Sequence, residues 1–156
     1  MKQYCLARRE GAMKELINRY KFKSARSAAM VFAEMFGSFI EKDYVIVPLP
    51  TIARHVRERG FDHIGFLAKQ VAMRCGCRVE NLLGRAADTV QVGADSETRK
   101  RQAARAYYLR RAPDKNKKFL LLDDVWTTGS SMRAAEKILR DAGARFVDFA
   151  VIAKSG

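Results

Sequence analysis

A chain of 156 residues, 48% of them hydrophobic and 10% aromatic, is long enough for one domain with its own core, and this composition excludes an intrinsically disordered segment. Thirty Lys and Arg against 17 Asp and Glu give a formal charge of +13, which points to anionic partners without choosing between a phosphorylated small molecule and nucleic acid. No apolar run approaches the ~20 residues of a membrane-spanning helix, and the opening MKQYCLARREG lacks the apolar stretch of about 7–15 residues of a secretory signal, so a cytoplasmic protein without membrane contact is expected.

Cys5, Cys75 and Cys77 cannot all pair, and the last two are too close in sequence for an ordinary disulfide, which fits a reducing compartment. A structural zinc site wants four well-spaced Cys or His ligands, and with His55 and His63 as the only histidines no zinc is expected.

In chain order, residues 12–20 place Met13, Leu16, Ile17 and Tyr20 on one helical face, and residues 28–40 place Ala28, Val31, Phe32, Met35, Phe36, Phe39 and Ile40 on another. These spacings predict an N-terminal helical segment over 1–42. DYVIVPLP, residues 43–50, reads as a buried strand whose prolines force extended backbone and forbid a helix immediately after. The loop TIARHVRERGFD follows, and because ligands of open α/β sheets bind outside the carboxyl ends of strands, its Arg54, Arg57 and Arg59 are candidate anion contacts.

Residues 62–74 predict a helix with Ile64, Leu67, Ala68 and Val71 inward and a stop near Gly76. His63, in its first turn, has no evident Cys, His or acid triad partner nearby in sequence, so no catalytic role is assigned to it. A short strand is expected around RVENLL. Residues 84–105 lack periodicity, contain Gly84 and Gly93 and turn strongly basic, so they read as a flexible lid loop. ARAYYLR then predicts a strand entering the sheet, and RFVDFAVIA, residues 145–153, predicts the last strand.

Between these two lies the most informative stretch, FLLLDDVWTTGSSM, residues 119–132. Phe119 to Leu122 form the short continuous apolar run of a parallel strand covered on both faces, and the acids Asp123 and Asp124 end it. The turn Thr127, Thr128, Gly129, Ser130 and Ser131 then leads into a helix with Met132, Ala135, Ile138 and Leu139 at helical spacing and Gly143 as its stop. A helix N-terminus offers unpaired N–H groups and the positive end of the macrodipole, so a turn of small hydroxylated residues leading into it can cradle a phosphate. Two acceptor-only carboxylates just upstream complement the hydroxyls of a ribose.

LLLDDVWTTGSS resembles the phosphoribosyl-pyrophosphate (PRPP) motif of type I phosphoribosyltransferases. YVIVPLP, RERGFDHIGFLAKQVA, the Gln91 region and TRKRQAARAYYL extend the similarity to the ComF/GntX group over nearly the whole chain. The resemblance implies one domain over 1–156 with a type I phosphoribosyltransferase-like α/β fold: a central, mainly parallel sheet flanked by helices, with N-terminal helices and a flexible lid. Thr127 to Ser131 would take the 5′-phosphate, Asp123 and Asp124 the ribose hydroxyls, and Arg54, Arg57 and Arg59 a pyrophosphate. Gln91 and Arg99 fall where the lid contacts are expected. Asp62 stands where the group usually has Asn, Gln102 at a second Asn position and Thr98 at a Glu, so the lid contacts carry over weakly.

Group members commonly begin with a four-cysteine zinc ribbon, and the chain starts about where that ribbon would end, which predicts a ribbon-less version. The implied activity is phosphoribosyl transfer from, or recognition of, PRPP or another phosphoribosyl compound, with magnesium carried by PRPP rather than by the protein. The implied setting is DNA uptake during competence or nucleotide metabolism, and a homodimer is compatible with it. The alternative is a non-enzymatic module that keeps the fold and binds single-stranded DNA or competence proteins through its basic surface.

Overall fold

In the computed structural model, which describes residues 1–22, 26–86 and 106–155, Phe119 to Leu122 are completely buried and lie on β6 (Lys118–Trp126), the middle strand of a parallel sheet. β6 pairs on one side with β2 (Tyr44–Pro48) and on the other with β7 (Phe146–Lys154). The edges are β3 (Arg78–Val79), beside β2, and β1 (Gln3–Arg8), beside β7, and every pairing is parallel.

Strand alternation divides the core in two. Leu120 and Leu122 join Ile46 and Ile152 beneath α1 (Gly11–Phe22), α2 (Ser27–Gly37) and α4 (His63–Cys75). Phe119 and Leu121 join Val47 and Phe149 beneath α5 (Ser130–Asp141). Each such buried Leu or Phe contributes about 1.5–3 kcal/mol, and strands covered on both faces need the continuous apolar runs that YVIV and FLLL supply.

Several expectations are corrected. Residues 1–42 are not wholly helical, because Gln3–Arg8 forms β1, which hydrogen-bonds along β7 in the register Gln3 to Phe149 through Arg8 to Lys154. QYCLAR shows no apolar run because an edge strand is only half covered. Strand β6 does not stop before the acids: Asp123 pairs with Val151 and Trp126 with Lys154, so both carboxylates project from regular strand.

The segment after Pro50 is not all loop, since Ala53–Arg59 forms the short helix α3, closed by Gly60 at φ 75°. Pro48 and Pro50 only delay it. RVENLL is two strands rather than one: Arg78–Val79 stays on the main sheet, and Leu83 begins β4 (Leu83–Arg85). The YYL strand, β5 (Tyr107–Leu109), does not enter the main sheet. It pairs antiparallel with β4, Gly84 opposite Tyr108, so residues 84 and 85 of the expected lid are strand. The remainder of the lid from residue 87, with Gln91 and Arg99, lies outside the described residues.

Candidate functional site

The site forms at the carboxyl end of β2, where its pairing with β6 stops at Pro48 and Leu122. The Leu49 N–H still donates to Leu122 O at 2.9 Å, which lays Pro50 to Ile52 alongside Asp123. A cavity of about 280 Å³ opens there, walled by Asp123, Asp124, Ser131, Arg59, Arg85 and Tyr107 among others. The strand-end carboxylates, the turn before α5, helix α3 and the β4–β5 ribbon thus meet at one place, as the topology of a parallel sheet requires.

The two acids have unequal surroundings. Asp124 is 6% exposed, and its Oδ2 receives Lys21 Nζ at 2.6 Å and His63 Nε2 at 2.7 Å. Burial would raise its carboxyl pKa, but the His63 hydrogen bond, followed by the Lys21 ammonium, outweighs burial and holds it below the ordinary carboxylate range. Asp123 keeps some exposure, and its Oδ1 accepts from the Asp124 N–H at 2.8 Å. Burial lifts its pKa well above the ordinary range, and the charge on Asp124 adds to the lift. The two carboxyls are thus biased in opposite directions, Asp124 towards the anion and Asp123 towards the protonated form.

His63 is 3% exposed and is gripped from three sides. Its Nδ1 lies 3.0 Å from Arg59 Nη1, and the buried Tyr20 hydroxyl donates to its carbonyl oxygen. Because a guanidinium can only donate, Nδ1 is the acceptor, and the ring hydrogen must sit on Nε2, where it points at Asp124. Three consecutive residues at the end of α1 serve this corner: Tyr20 holds the His63 backbone, Lys21 pairs with Asp124, and Phe22 lies 5.1 Å beneath the Arg59 guanidinium. Replacing Lys21 by Met leaves a buried carboxylate with one neutral partner, and should lower stability by about 3 kcal/mol. A guanidinium unfolding curve at pH 7 reads this as a lower midpoint at unchanged slope; a loss under roughly 0.5 kcal/mol would mean the pair is not formed in solution.

The turn before α5 is shaped by Gly129, which caps the helix at φ 75° and is buried against the Trp126 ring. Thr128 Oγ1 stands 3.0 Å from Ser130 Oγ. Thr127, Thr128 and Ser130 are exposed, whereas Ser131 lines the cavity. No acidic residue occupies the first turn of α5.

Of the three arginines singled out in the sequence, Arg59 lines the cavity. Arg54 and Arg57 are exposed on α3, Arg54 with Glu58 at 3.5 Å. Arg85, absent from the sequence reading, enters from β4, stacks 5.1 Å over the Tyr107 ring and donates to the Tyr107 hydroxyl at 2.9 Å. Its Nε is buried without a hydrogen-bond partner among the described residues. Lys21 and His63 were also missed. Only the lone arginine closing the apolar LLG run carried any sequence signal; Lys21 reads as one more charge on an amphipathic helix. Tyr107 is 5% exposed and turned to the cavity, while Tyr108 lies on the other face over Gly84 and is 49% exposed.

No protein-family model matches the chain. Among solved structures, it superposes on the glutamine PRPP amidotransferase of B. subtilis with a TM-score of 0.59 at 17% identity, covering 86% of this chain and 30% of that one. It superposes on the adenine phosphoribosyltransferase of Trypanosoma brucei with a TM-score of 0.54 at 14% identity, covering 87% and 56%. The fold is that of a type I phosphoribosyltransferase-like α/β protein.

In sequence, the chain is 26% identical over 138 residues to the competence protein ComFC of Streptococcus pneumoniae, covering 87% of this chain and 60% of the relative. It is 23% identical over 141 residues to ComFC of Bacillus subtilis, covering 84% and 55%. The chain thus spans somewhat over half the length of these curated relatives. Fold and sequence together support a ComF-type phosphoribosyltransferase-like protein.

Proposed function

We propose that the cavity binds PRPP with magnesium and that the chain recognises or transfers its phosphoribosyl group. The observation that carries this reading is the meeting, in one cavity, of a paired carboxylate, the hydroxylated end of a helix N-terminal turn, and two arginines from separate elements, α3 and β4. The turn from Thr127 to Ser131 takes the 5′-phosphate on backbone N–H groups and hydroxyls. Asp123 and Asp124 accept from the ribose hydroxyls. Arg59 and Arg85 offer planar forks to the pyrophosphate.

Among the described residues no group of three or more His, Cys, Asp or Glu can hold a metal by itself. Magnesium binds through one or two carboxylates together with substrate phosphates rather than in an all-protein cage. Asp123 is the carboxylate with room to serve it, and the ion would neutralise charge on the diphosphate. Displacement at the anomeric carbon passes through an oxocarbenium-like state and needs no protein nucleophile; the residues supply orientation and electrostatic stabilisation of the leaving pyrophosphate. The curated relatives are named competence proteins, and DNA uptake is the setting we infer for this chain.

Calorimetry with magnesium and PRPP should give saturable binding to the wild-type chain and none to the double variant Asp123→Asn, Asp124→Asn. Equal affinity in that variant would exclude the reading.

A further inference from the structure

His63 has a distinct partner on each ring nitrogen, and the two partners stand at opposite ends of the proposed ligand. Nε2 lies 2.7 Å from Asp124 Oδ2, at the ribose end. Nδ1 lies 3.0 Å from Arg59 Nη1, at the pyrophosphate end. The ring is 3% exposed, so water does not compete for either nitrogen, and the Tyr20 hydroxyl on the His63 carbonyl fixes the backbone beneath it. Lys21 Nζ lies on the same Asp124 oxygen, at 2.6 Å. Both contacts fall on Oδ2, so Oδ1 is the oxygen that Asp124 has to offer the cavity.

We propose that His63 is a positioning residue that orients both ends of the phosphoribosyl donor, holding Asp124 for the ribose hydroxyls through Nε2–H and the Arg59 guanidinium for the pyrophosphate through Nδ1. This rests on the PRPP reading of the cavity. It assigns the ring a neutral state and one tautomer, because a second ring proton would set an N–H against the Arg59 guanidinium and remove the only acceptor that guanidinium has on the ring. It also gives the two nitrogens separable tasks. The ring lines the cavity, and its assigned effect on the ligand passes through Asp124 and Arg59.

Side chains that replace one nitrogen at a time test this. The amide nitrogen of Gln in His63→Gln reaches the Nε2 position and can still donate to Asp124, but offers nothing at Nδ1. The amide oxygen of Asn in His63→Asn occupies the Nδ1 position and can accept from Arg59, but cannot reach Asp124. Titrating the whole chain by calorimetry with ribose 5-phosphate and, separately, with magnesium pyrophosphate, we expect His63→Gln to keep ribose 5-phosphate affinity within about threefold while weakening pyrophosphate about tenfold or more. His63→Asn should show the reverse pattern, and His63→Leu should weaken both. A purely structural histidine would shift the two ligands together in every variant. Equal losses for both ligands in His63→Gln and in His63→Asn, or no loss in any variant, would overturn the proposal.

Should the variants fold poorly, ¹⁵N spectra of the wild-type chain serve instead, with His55→Gln assigning the two histidines. Pyrophosphate should move the His63 Nδ1 resonance and ribose 5-phosphate the Nε2 resonance, with Nε2 carrying the hydrogen throughout; a ring protonated on Nδ1 overturns the assignment. A wild-type chain that binds neither ligand refutes the reading of the cavity itself, an outcome distinct from variants that fail to discriminate.

Discussion

Gly129→Ala should destabilise the chain by at least about 2 kcal/mol, because two separate costs fall on one methyl group. The residue caps α5 at φ 75°, a conformation that costs a side-chain-bearing residue about 1–3 kcal/mol. The added Cβ would also sit inside the van der Waals envelope of the Trp126 ring. That ring is 8% exposed and packs on Phe149 with centroids 5.4 Å apart, so it cannot swing aside without opening the core under α5. If instead the turn gives way, the N–H groups from Ser130 onward lose their common direction. Denaturant unfolding measures the stability loss, and calorimetry with PRPP should show binding lost at temperatures where the variant is still folded. A stability loss below roughly 0.5 kcal/mol would mean that the ring moves freely and that glycine is not required at the turn.

Asp123→Asn should raise stability at neutral pH while abolishing PRPP binding. An unfolded Asp releases its proton near about 3.9. Folded Asp123 holds its proton to a much higher pH, first because it is buried and then because Asp124 is charged. Between those two values the folded state binds more protons than the unfolded state, so the stability due to Asp123 falls as pH rises. Asp124 has the opposite sign. Its lowered folded value gives stability that is fully present above the ordinary carboxylate range and is lost as pH falls below it. The pair alone therefore favours a stability maximum in mildly acidic solution.

Asparagine at 123 removes this descending limb, which runs from the ordinary carboxylate range up to about 8. Guanidinium unfolding of wild type and variant across that range checks it. Parallel profiles would show that Asp123 ionises normally in the folded chain. A stabilising substitution that abolishes binding is the signature of a carboxylate placed for a ligand rather than for the fold.

The elements most legible in the sequence were those whose physics is local. Phe119 to Leu122 could only be a strand covered on both faces, and all four side chains are buried. The spacing of Ile64, Leu67, Ala68 and Val71 defined the inward face of α4, and Gly76 closed it at φ 71°. The turn from Thr127 to Ser131 was legible because its glycine and hydroxyls stand next to one another and immediately before a helix.

Legibility ended where a residue's meaning depends on a partner far along the chain. β1 escaped notice because an edge strand needs no apolar run, only β7 to pair with, and β7 lies more than a hundred residues away. Tyr107 to Leu109 is a strand by propensity, but only the folded chain decides that it pairs with β4 rather than with the main sheet.

What the sequence by itself determined is the strand, acid pair, turn and helix around residues 119–132, since strand burial, the αL glycine and the helix N-terminus are properties of contiguous residues. Only the tertiary structure decided which acid is biased towards the anion. His63 and Lys21 stand 61 and 103 positions from Asp124, and they meet it because α1 and α4 cross the same face of the sheet. Ionisation of a buried carboxylate is set by the charges and donors within a few ångströms, and proximity of that kind is made by folding.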